Sequence, residues 1–432
     1  MVGVISRRVL ITGLSTYWGG RLAQALEADP RFEAIIGIDK TPPKVELQRT
    51  EFVRVLDQHS LIRRLVEAAE IDTVVDTRMV VDSIVTTPRL AHENNVLGTM
   101  NILTACTGPD SPVRKVVFKS SAHFYGAHQD DPAFFTEAMD RPHPPRTPLE
   151  RDIVEAEGDV RGFSDRNPDT TVTVLRLTNG LGPDLRTSLP RLFGGPVVPA
   201  ILGFDPRCQF IHADDIVGCL EHAVRNDLDG AFNCAADGVL SLSEVADLLG
   251  KPLAPILPPW GTGLAAGVLR RAGLQLSPEL QTLMRFGRGL DNRKLKASGY
   301  RYRYTTRETV LKLREYQRLH PLLRRPTEPY RYEEEVEEFL RYSPSVRPAT
   351  RHRGRRLINL PPGKAGAGNE DADGGRATVT GARYEDLDAE EVVAMLPSLE
   401  RDHLEDLRVH ERERAGRESV VAAIDRILAR QR

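Results

Sequence analysis

The chain has 432 residues, of which 40% are hydrophobic, so it is long enough to bury one large core or two smaller ones. Its formal net charge of −2 gives no whole-chain argument for nucleic-acid binding. No apolar run has the length of a membrane span, and the first residues lack a signal-peptide pattern. The four cysteines are scattered without a paired spacing, which favours buried thiols in a reducing compartment. We therefore expect a cytoplasmic protein.

Up to Lys119, short β-branched runs alternate with amphipathic helical patterns. The predicted strands are Val9–Thr12, Ala34–Ile38, Phe52–Val55, Thr73–Thr77 and Lys115–Lys119. The predicted helices are Gly19–Ala28, Ser60–Ala69 and Pro88–Cys106. Such alternation is typical of an α/β fold in which a doubly wound parallel sheet carries helices on both faces.

Further units of the same kind follow. Helical patterns cover Leu149–Arg161, Ala213–Asn226 and Ser241–Leu249, and strand patterns cover Thr171–Leu177 and Ala231–Ala235. Ser241 followed by Glu244 predicts a capping box at the start of the last of these helices. An apolar helical pattern at Gly263–Phe286 is interpreted as helices that pack over a substrate cleft.

The C-terminal part of the chain has a different composition. Residues 327–383 hold an acidic helical pattern and then a basic, glycine-rich stretch, so we expect a largely disordered linker. The basic run Arg351–Arg356 is interpreted as solvated rather than as a specific nucleic-acid site. Residues 384–432 show apolar side chains at helical spacing, which predicts a small helical module. This module either docks a protein partner or packs on the main domain.

The stretch Arg7–Leu26 carries the clearest functional signal. The run Val9–Thr12 stops at Gly13 and a helical pattern begins near Trp18, which predicts a strand, a tight turn and a helix. Backbone N–H groups and the dipole at such a helix N-terminus favour an anion, typically a dinucleotide pyrophosphate. Asp39 ends the next predicted strand, where a carboxylate accepts hydrogen bonds from the adenosine ribose and disfavours a 2′-phosphate. NAD is therefore favoured over NADP, and an ordinary strand-to-helix turn is the alternative.

This turn resembles the TGxxGxxG fingerprint of the extended short-chain dehydrogenase/reductase superfamily, also called the NAD-dependent epimerase/dehydratase family. Thr12, Gly13 and Gly19 match its first Thr, first Gly and third Gly, whereas Thr16 stands at the second Gly. Further matches at family spacing are Asn95, Gly98 and Thr99, KSSAHFYG at 119–126, RLTNGLGP at 176–183, Phe210 to His212 with Asp215, and Asn233.

The resemblance covers roughly residues 7 to 320. It implies a Rossmann-type sheet within residues 1–326, with a smaller substrate-binding subdomain formed by about 180–212 and 240–326. The tail resembles a small helical segment of several actinobacterial proteins, which indicates a divergent member with a C-terminal helical extension.

The resemblance also implies where a cofactor and a substrate bind. The candidate cofactor-binding residues are Thr12, Gly13, Ser15, Thr16, Tyr17, Trp18, Gly19, Asp39, Asp57, Asp76, Thr77, Asn95 and Arg151. Asn179 is the candidate substrate-binding residue. After the fourth strand, Asp76, Arg78 and Met79 are larger or more charged than the small residues that the family prefers beside the cofactor.

One part of the family pattern is missing. Family members use a tyrosine and a lysine four residues apart on a helix, because the ammonium lowers the tyrosine pKa and the phenolate then takes a substrate proton. Here the stretch reads RTPLERDIVEAE. One alignment places Thr147 and Arg151 at these positions, and another, based on Glu157, places Leu149 and Ile153 there. Neither alignment supplies a tyrosine, so we predict an altered active site.

Three side chains near the fifth strand are candidates for the proton chemistry. Ser121 stands at the position of the family's catalytic serine, a histidine at 123 could act as a general acid or base near pH 7, and Tyr125 follows closely. A loop-edge histidine without a catalytic role is the alternative for His123. No metal-ligand spacing and no GxSxG elbow are present, so neither a metal site nor a serine hydrolase is predicted. Cys208 replaces an arginine that binds nucleotide-sugar diphosphates, which disfavours a standard UDP-sugar.

Two functions are consistent with these patterns. The first is an NAD(P)-binding oxidoreductase or sugar-nucleotide epimerase-like enzyme that lacks Tyr-x-x-x-Lys. Its substrate would be a small molecule such as a nucleotide sugar or a related metabolite. The second is a catalytically inactive NAD-binding scaffold or regulatory protein that docks partners through its C-terminal helices. The family often forms homodimers through the helices that correspond to Pro88–Cys106 and Leu149–Arg161.

Overall fold

The computed structural model describes residues 6–319 except 56–58, 109, 184, 186 and 258–275, and beyond them it describes 408, 421–425 and 428. Asp57, a predicted cofactor-binding residue, and the predicted linker 327–383 lie outside the described residues. The chain forms two compact units, Met1–Pro329 and Tyr330–Arg432. The described residues of the second unit are helical. Its docking role and the domain boundaries stay predictions.

The first unit contains thirteen strands among its described residues. In chain order they are β1 (Arg8–Thr12), β2 (Ala34–Asp39), β3 (Glu51–Arg54), β4 (Thr73–Asp76), β5 (Lys115–Ser121), β6 (Thr171–Leu177), β7 (Asn179–Leu181), β8 (Val198–Ile201), β9 (Arg207–Cys208), β10 (Phe210–His212), β11 (Gly230–Cys234), β12 (Leu240–Ser241) and β13 (Leu253–Leu257). Seven of them form one parallel sheet in the order β11-β6-β5-β4-β1-β2-β3.

Helices connect and cover these strands. They are α1 (Tyr17–Glu27), α2 (His59–Ala68), α3 (Pro88–His92), α4 (Gly98–Ala105), α5 (Pro148–Arg166), α6 (Ser188–Gly194), α7 (Ala213–Arg225), α8 (Leu242–Leu249), α9 (Pro278–Phe286), α10 (Arg293–Ala297) and α11 (Thr306–Leu319). A π-helical turn, Glu93–Leu97, joins α3 to α4, and a 3-10 turn, Ala122–Phe124, follows β5. None of the helices in the described part of the chain is long and apolar enough to cross a membrane.

The two faces of the central sheet bury separate apolar layers. Because side chains alternate along a strand, Leu10 packs with α2, α4 and α5, whereas Val9 and Ile11 pack with α1 and α7. Both faces are therefore covered, which explains why the strands are almost continuously apolar. The predicted α/β class with a doubly wound parallel sheet is confirmed.

A smaller subdomain lies beyond the carboxyl ends of the central strands. It contains the pairs β7–β10, β8–β13 and β9–β12. Its own apolar core combines side chains of α6, α8, α9 and α11, among them Phe193, Val245, Leu283 and Val310. The capping box predicted at Ser241 and Glu244 is present at the start of α8. This subdomain supplies one wall of a cleft at the end of the sheet.

A buried ion pair ties α5 to the sheet. Arg176 on β6 binds Glu157 on α5, with Nη2 to Oε2 at 2.8 Å, and both side chains are almost fully buried. Arg176 Nη1 also donates to the hydroxyl of Tyr125 at 2.8 Å, and Ser120 on β5 donates to Glu157. The hydroxyl of Tyr125 in turn donates to Asn233 Oδ1 at 2.9 Å. The network therefore joins β5, β6, β11 and α5.

Because this network is buried, breaking it should lower the stability of the protein more than breaking an exposed ion pair. Arg176→Leu should lower the free energy of unfolding by about 3–5 kcal/mol, because it leaves the charge of Glu157 buried without a partner. The matched control is Arg89→Leu, since Arg89 pairs with Glu93 on the exposed side of α3 and should cost less than about 0.5 kcal/mol. Urea unfolding of the full chain measures both. Equal losses in the two variants would contradict this account of the buried pair.

Candidate functional site

A cleft opens at the carboxyl end of the sheet, between the sheet and the smaller subdomain. It encloses about 740 Å³, including its open mouth. Its lining includes Trp18, Lys119, Ser121, His123, Asn179, Ile216 and Leu280. The cleft therefore brings together residues from α1, the end of β5, β7, α7 and α9. This is the edge at which parallel α/β sheets bind ligands.

The glycine turn is followed by Trp18, which lines this cleft. Gly13 has a φ of +79°, which residues with side chains rarely adopt. A Cβ on Gly19 would collide with the carbonyl oxygen of Gly13, so the first turn of α1 approaches β1 as closely as only glycine permits. The predicted strand, turn and helix are therefore present. In the first turn of α1, the N–H groups of Gly19 and Gly20 are bonded to Thr16.

Thr16, at the position of the family's second glycine, is the N-cap of α1. Its Oγ1 accepts a hydrogen bond from Gly19 N at 3.0 Å and donates to Gly13 O at 2.7 Å. The side chain thus binds the backbone of its own turn. In the sequence, Thr16 stood out only as a missing glycine, although threonine is also a preferred N-cap residue.

Asp39 ends β2 beside the same turn. One of its oxygens accepts hydrogen bonds from Ser15 N at 2.9 Å and from Ser15 Oγ at 2.6 Å. The other accepts from Lys40 N at 2.6 Å. A carboxylate has about four acceptor positions, so this arrangement leaves one for a ligand hydroxyl. Ser15, also a predicted cofactor residue, therefore orients Asp39.

Arg78 lies across the glycine turn. Its guanidinium pairs with the buried Asp76 at 2.9 Å, and Thr12 Oγ1 donates to the same carboxylate at 2.8 Å. Burial alone would raise the pKa of Asp76, but the charge and hydrogen bonds of Arg78 lower it. A Cβ on Gly13 would lie 2.5 Å from Arg78 Cγ, and one on Gly98 would lie 2.5 Å from Arg78 Nη1. The two glycines make room for a cation beside the turn.

Two other predicted cofactor residues, Thr77 and Asn95, form hydrogen bonds to backbone atoms of the protein. Thr77 Oγ1 donates to Thr12 O at 2.8 Å. The side-chain amide of Asn95 accepts from Val80 N at 2.8 Å and donates to Val80 O at 2.9 Å. Asn95 therefore braces the loop after β4, and both ends of its amide are occupied by this loop.

The remaining predicted cofactor residues differ in position. Trp18 lines the cleft, and the ring of Tyr17 packs against it edge to face, with the centroids 4.9 Å apart. Arg151 is exposed on α5, on the side of the helix opposite the buried Ile153. This position gives no support to the predicted contact of Arg151 with a ribose.

Ser121 and His123 line the cleft as predicted candidates for proton chemistry. Ser121 ends β5, and its Oγ accepts a hydrogen bond from His123 N at 3.2 Å. Burial, together with the charges of Arg288 and Arg141, lowers the pKa of His123 well below its ordinary value. The imidazole is therefore neutral at pH 7. A neutral ring with such a low pKa is a weak base, so Ser121 is the better placed of the two.

Tyr125 does not reach the cleft, and the structure removes it from the catalytic candidates. Its ring is fully buried against Phe135, with the centroids 4.6 Å apart. Its hydroxyl is held by Arg176 and Asn233, and burial raises its pKa. A buried phenol that is already held by these hydrogen bonds has no route to a substrate. In the sequence Tyr125 is close to Ser121, but the chain turns inward after Ser121.

Lys119 is a cleft residue that was not singled out from the sequence. Its side chain is almost fully buried, and Nζ donates to Met79 O at 3.0 Å. Burial lowers the pKa of Lys119 to about 8, although the negative charge of Asp76 acts in the opposite direction. Lys119 and Ser121 are two residues apart on β5 and thus project from the same face of the strand. In the sequence, the signal for this residue was its position directly before Ser120 and Ser121.

The helix that should carry tyrosine and lysine has neither residue in this chain. Thr147 is the N-cap of α5, and its Oγ1 accepts from Glu150 N at 3.1 Å. Leu149 and Ile153 are buried in the apolar layer between α5 and the sheet. Glu157 is the glutamate that faces the sheet, so the alignment based on it fits the fold better. In that alignment, apolar side chains occupy both positions.

A second, smaller hollow adjoins the cleft through Asn179. Its lining includes Arg207, Cys208, Gln209 and Arg288. Arg288 is buried, its Nη1 donates to Gly126 O at 3.0 Å, and its Nε has no hydrogen-bond partner among the described residues. Burial lowers the pKa of Arg288 to about 10, so the guanidinium remains charged at pH 7. The hollow therefore offers a buried cation at one end of the cleft.

Comparison with known proteins places the chain in a family. The family model for the NAD dependent epimerase/dehydratase family matches residues 9–235. An uncharacterized protein of Mycobacterium tuberculosis is 35% identical over 312 residues, a match that covers 69% of this chain and 81% of the relative. The chain therefore belongs to the NAD-dependent epimerase/dehydratase family, and the resemblance inferred from its motifs is confirmed.

Solved structures show the same fold. A UDP-glucose 4-epimerase from Thermotoga maritima, solved with UDP-glucose, has a TM-score of 0.55 at 17% identity and covers 72% of this chain and 99% of its own. A UDP-glucuronic acid 4-epimerase from Bacillus cereus, in complex with NAD, has a TM-score of 0.55 at 16% identity with the same coverage. At these identities the likeness concerns the fold alone.

Proposed function

We propose that this protein binds NAD and catalyses an epimerase-type oxidation and reduction of a hydroxyl-bearing small molecule in the cleft. The observation that carries the proposal is the pairing of Lys119 with Ser121. A buried lysine with a lowered pKa and a serine project from one strand face into a cleft that Trp18, just after the glycine turn, also lines. Titratable groups with shifted pKa values in such clefts are candidates for catalysis.

The residues at the glycine turn fit NAD. Gly13 and Gly19 let α1 begin close against β1, and Arg78 supplies a positive charge beside the turn that would favour a pyrophosphate. Asp39 has an acceptor position for a ribose hydroxyl, and its charge repels the 2′-phosphate of NADP. The similar epimerase from Bacillus cereus was solved in complex with NAD. NAD held by these residues would supply the hydride acceptor and donor for the oxidation and the reduction.

The chain's own residues supply the proton chemistry in this proposal. The neutral amine of Lys119 takes the proton from the substrate hydroxyl and returns it when the carbonyl is reduced. Ser121 donates a hydrogen bond to the same oxygen, which stabilises the charge that develops there. With a pKa of about 8, Lys119 is partly neutral near physiological pH, as a general base requires. Lys119 thus performs the role of the absent tyrosine.

The cleft favours a substrate with an anionic group at one end. Arg288 places a buried positive charge in the adjoining hollow, and Asn179 lies where the hollow and the cleft meet. The similar epimerase from Thermotoga maritima was solved with UDP-glucose. We therefore assign a phosphate-bearing sugar or a related metabolite as the substrate class. In this proposal Arg288 supplies the positive charge that is lost where Cys208 replaces the family's arginine.

A second function is favoured by one observation. Leu149 and Ile153, which one of the two alignments puts at the positions of tyrosine and lysine, are packed apolar side chains. A protein that no longer needs catalysis would tolerate this change. In that case the chain binds NAD as a scaffold or regulatory protein, and its C-terminal helices contact the partner.

Cofactor choice can be tested at Asp39. Asp39→Ala should weaken NAD binding about 10- to 100-fold, because hydrogen bonds to a charged group are worth about 1.5–3 kcal/mol. Asp39→Asn should bind NADP better relative to NAD, since it removes the repelling charge. Calorimetric titration of the full chain measures both, and Asp247→Asn, exposed on α8, is the matched control. Unchanged NAD affinity in the alanine variant would show that the ribose contact is wrong.

Turnover can be tested at Lys119. The rate should rise with pH through about 8 and then level off, because only neutral Lys119 accepts a proton. Lys119→Met and Lys119→Arg should both lower kcat about 10²- to 10⁴-fold, since neither side chain accepts a proton near neutral pH. Lys312→Met, an exposed lysine on α11, should leave kcat unchanged.

The assay mixes NAD-loaded full-length protein with UDP-glucose and UDP-glucuronate and follows epimer formation by NMR. A variant at Lys119 that retains the parental rate and pH profile would exclude the proposed base. NAD binding without turnover of either sugar would favour the scaffold function.

A further inference from the structure

Two histidines and two aspartates meet in the loop between β5 and α5. The ligand atoms of His128, Asp130 and His143 all lie within 4.8 Å of one another. His143 Nε2 is 2.9 Å from Asp130 Oδ1, and the two imidazole rings stack with their centroids 3.9 Å apart. His128 and His143 come from opposite ends of the loop, so their spacing matches no metal motif. This is why no metal site was predicted from the sequence.

Asp131 adds an observation that is independent of this cluster. Its Oδ2 accepts a hydrogen bond from His128 N at 2.6 Å, which fixes the carboxylate. Its Oδ1 is buried, has no hydrogen-bond partner among the described residues, and lies 4.0 Å from His143 Nε2. A buried acceptor without a partner costs about 1–3 kcal/mol. A cation between these groups would satisfy that oxygen.

We propose that His128, Asp130, Asp131 and His143 bind one divalent transition metal, with zinc as the best match. Imidazole nitrogens and carboxylate oxygens are common zinc ligands, and four of them suit its tetrahedral coordination. Zinc lies about 2.0–2.2 Å from such atoms, so the donors of His128, Asp130 and His143, which lie up to 4.8 Å apart, must approach by about 1 Å. Asp130 is exposed and can make this movement.

The charges around the cluster are compatible with a cation. Burial, with a contribution from Arg146, lowers the pKa of His128, so its ring is in the neutral form that metals bind. Arg146 and Arg141 also bring positive charge. The buried Glu150 pairs with Arg141 and offsets part of this charge. The carboxylates of Asp130 and Asp131 face the proposed ion directly.

The position of the cluster indicates a structural role. The same loop carries Arg141, whose Nη1 donates to His123 O at 2.9 Å and to Phe124 O at 3.0 Å. The loop also carries Phe135, which packs on Tyr125 in the core. A metal would thus hold both ends of a segment that supports the cleft wall at His123. It would not touch the reacting atoms.

The test uses full-length protein that is purified without a metal-affinity tag. Elemental analysis and competition with a coloured zinc chelator should show one tightly bound Zn²⁺ per chain. His143→Gln and Asp130→Asn should each weaken Zn²⁺ binding at least about tenfold. The matched control is His222→Gln, since His222 binds Ser298 outside the cluster and should not change zinc affinity.

Thermal unfolding separates binding from misfolding. Zn²⁺ should raise the Tm of the parent protein and of His222→Gln, but not that of His143→Gln. Asp130 is exposed, so Asp130→Asn tests the site in a chain that folds normally without metal. The proposal is overturned if the parent protein binds no zinc tightly, or if the cluster variants take up as much zinc as the parent.

Discussion

The contact between Arg176 and Glu157 determines how the site is arranged. The pair holds α5 against β6, and Ser120 joins it from β5, so Ser120 faces α5. Because neighbouring side chains on a strand alternate, Lys119 and Ser121 then face the opposite side, at the cleft. The same arginine holds the Tyr125 hydroxyl in the core. One buried pair thus fixes the position of Ser120, which also borders the cleft, and of the Tyr125 hydroxyl.

The cofactor turn keeps its shape although its sequence departs from the family pattern. Thr16 caps α1 through its side chain, and Ser15 orients Asp39. Arg78 fits against Gly13 and Gly98 and is neutralised in part by Asp76. The chain belongs to the NAD-dependent epimerase/dehydratase family, and these changes leave its first strand, turn and helix intact. The main departure lies on α5, which contains neither a tyrosine nor a lysine.

The fold and the cofactor turn were predictable from sequence because both depend on local periodicity and glycine spacing. Helix α5 extends to Arg166 rather than Arg161, because Phe163 continues the buried stripe, and a π turn interrupts the predicted helix Pro88–Cys106. The catalytic candidates were harder to predict, because burial in the folded chain determines which of these side chains can reach a ligand. Tyr125 lies in the core and the side chain of Lys119 is buried, and no sequence motif indicates either feature. The histidine cluster was missed for the same reason: only the folded loop brings its ends together.

The most direct test of this mechanism is the nucleotide content of the purified full-length protein. Native mass spectrometry would detect a co-purified dinucleotide, and calorimetric titration with NAD and NADP would give the two affinities. We expect one NAD per chain, bound more tightly than NADP. If the protein carries neither dinucleotide and binds neither in titration, Arg78 closes the turn instead of receiving a pyrophosphate, and the proposed chemistry of Lys119 and Ser121 is wrong.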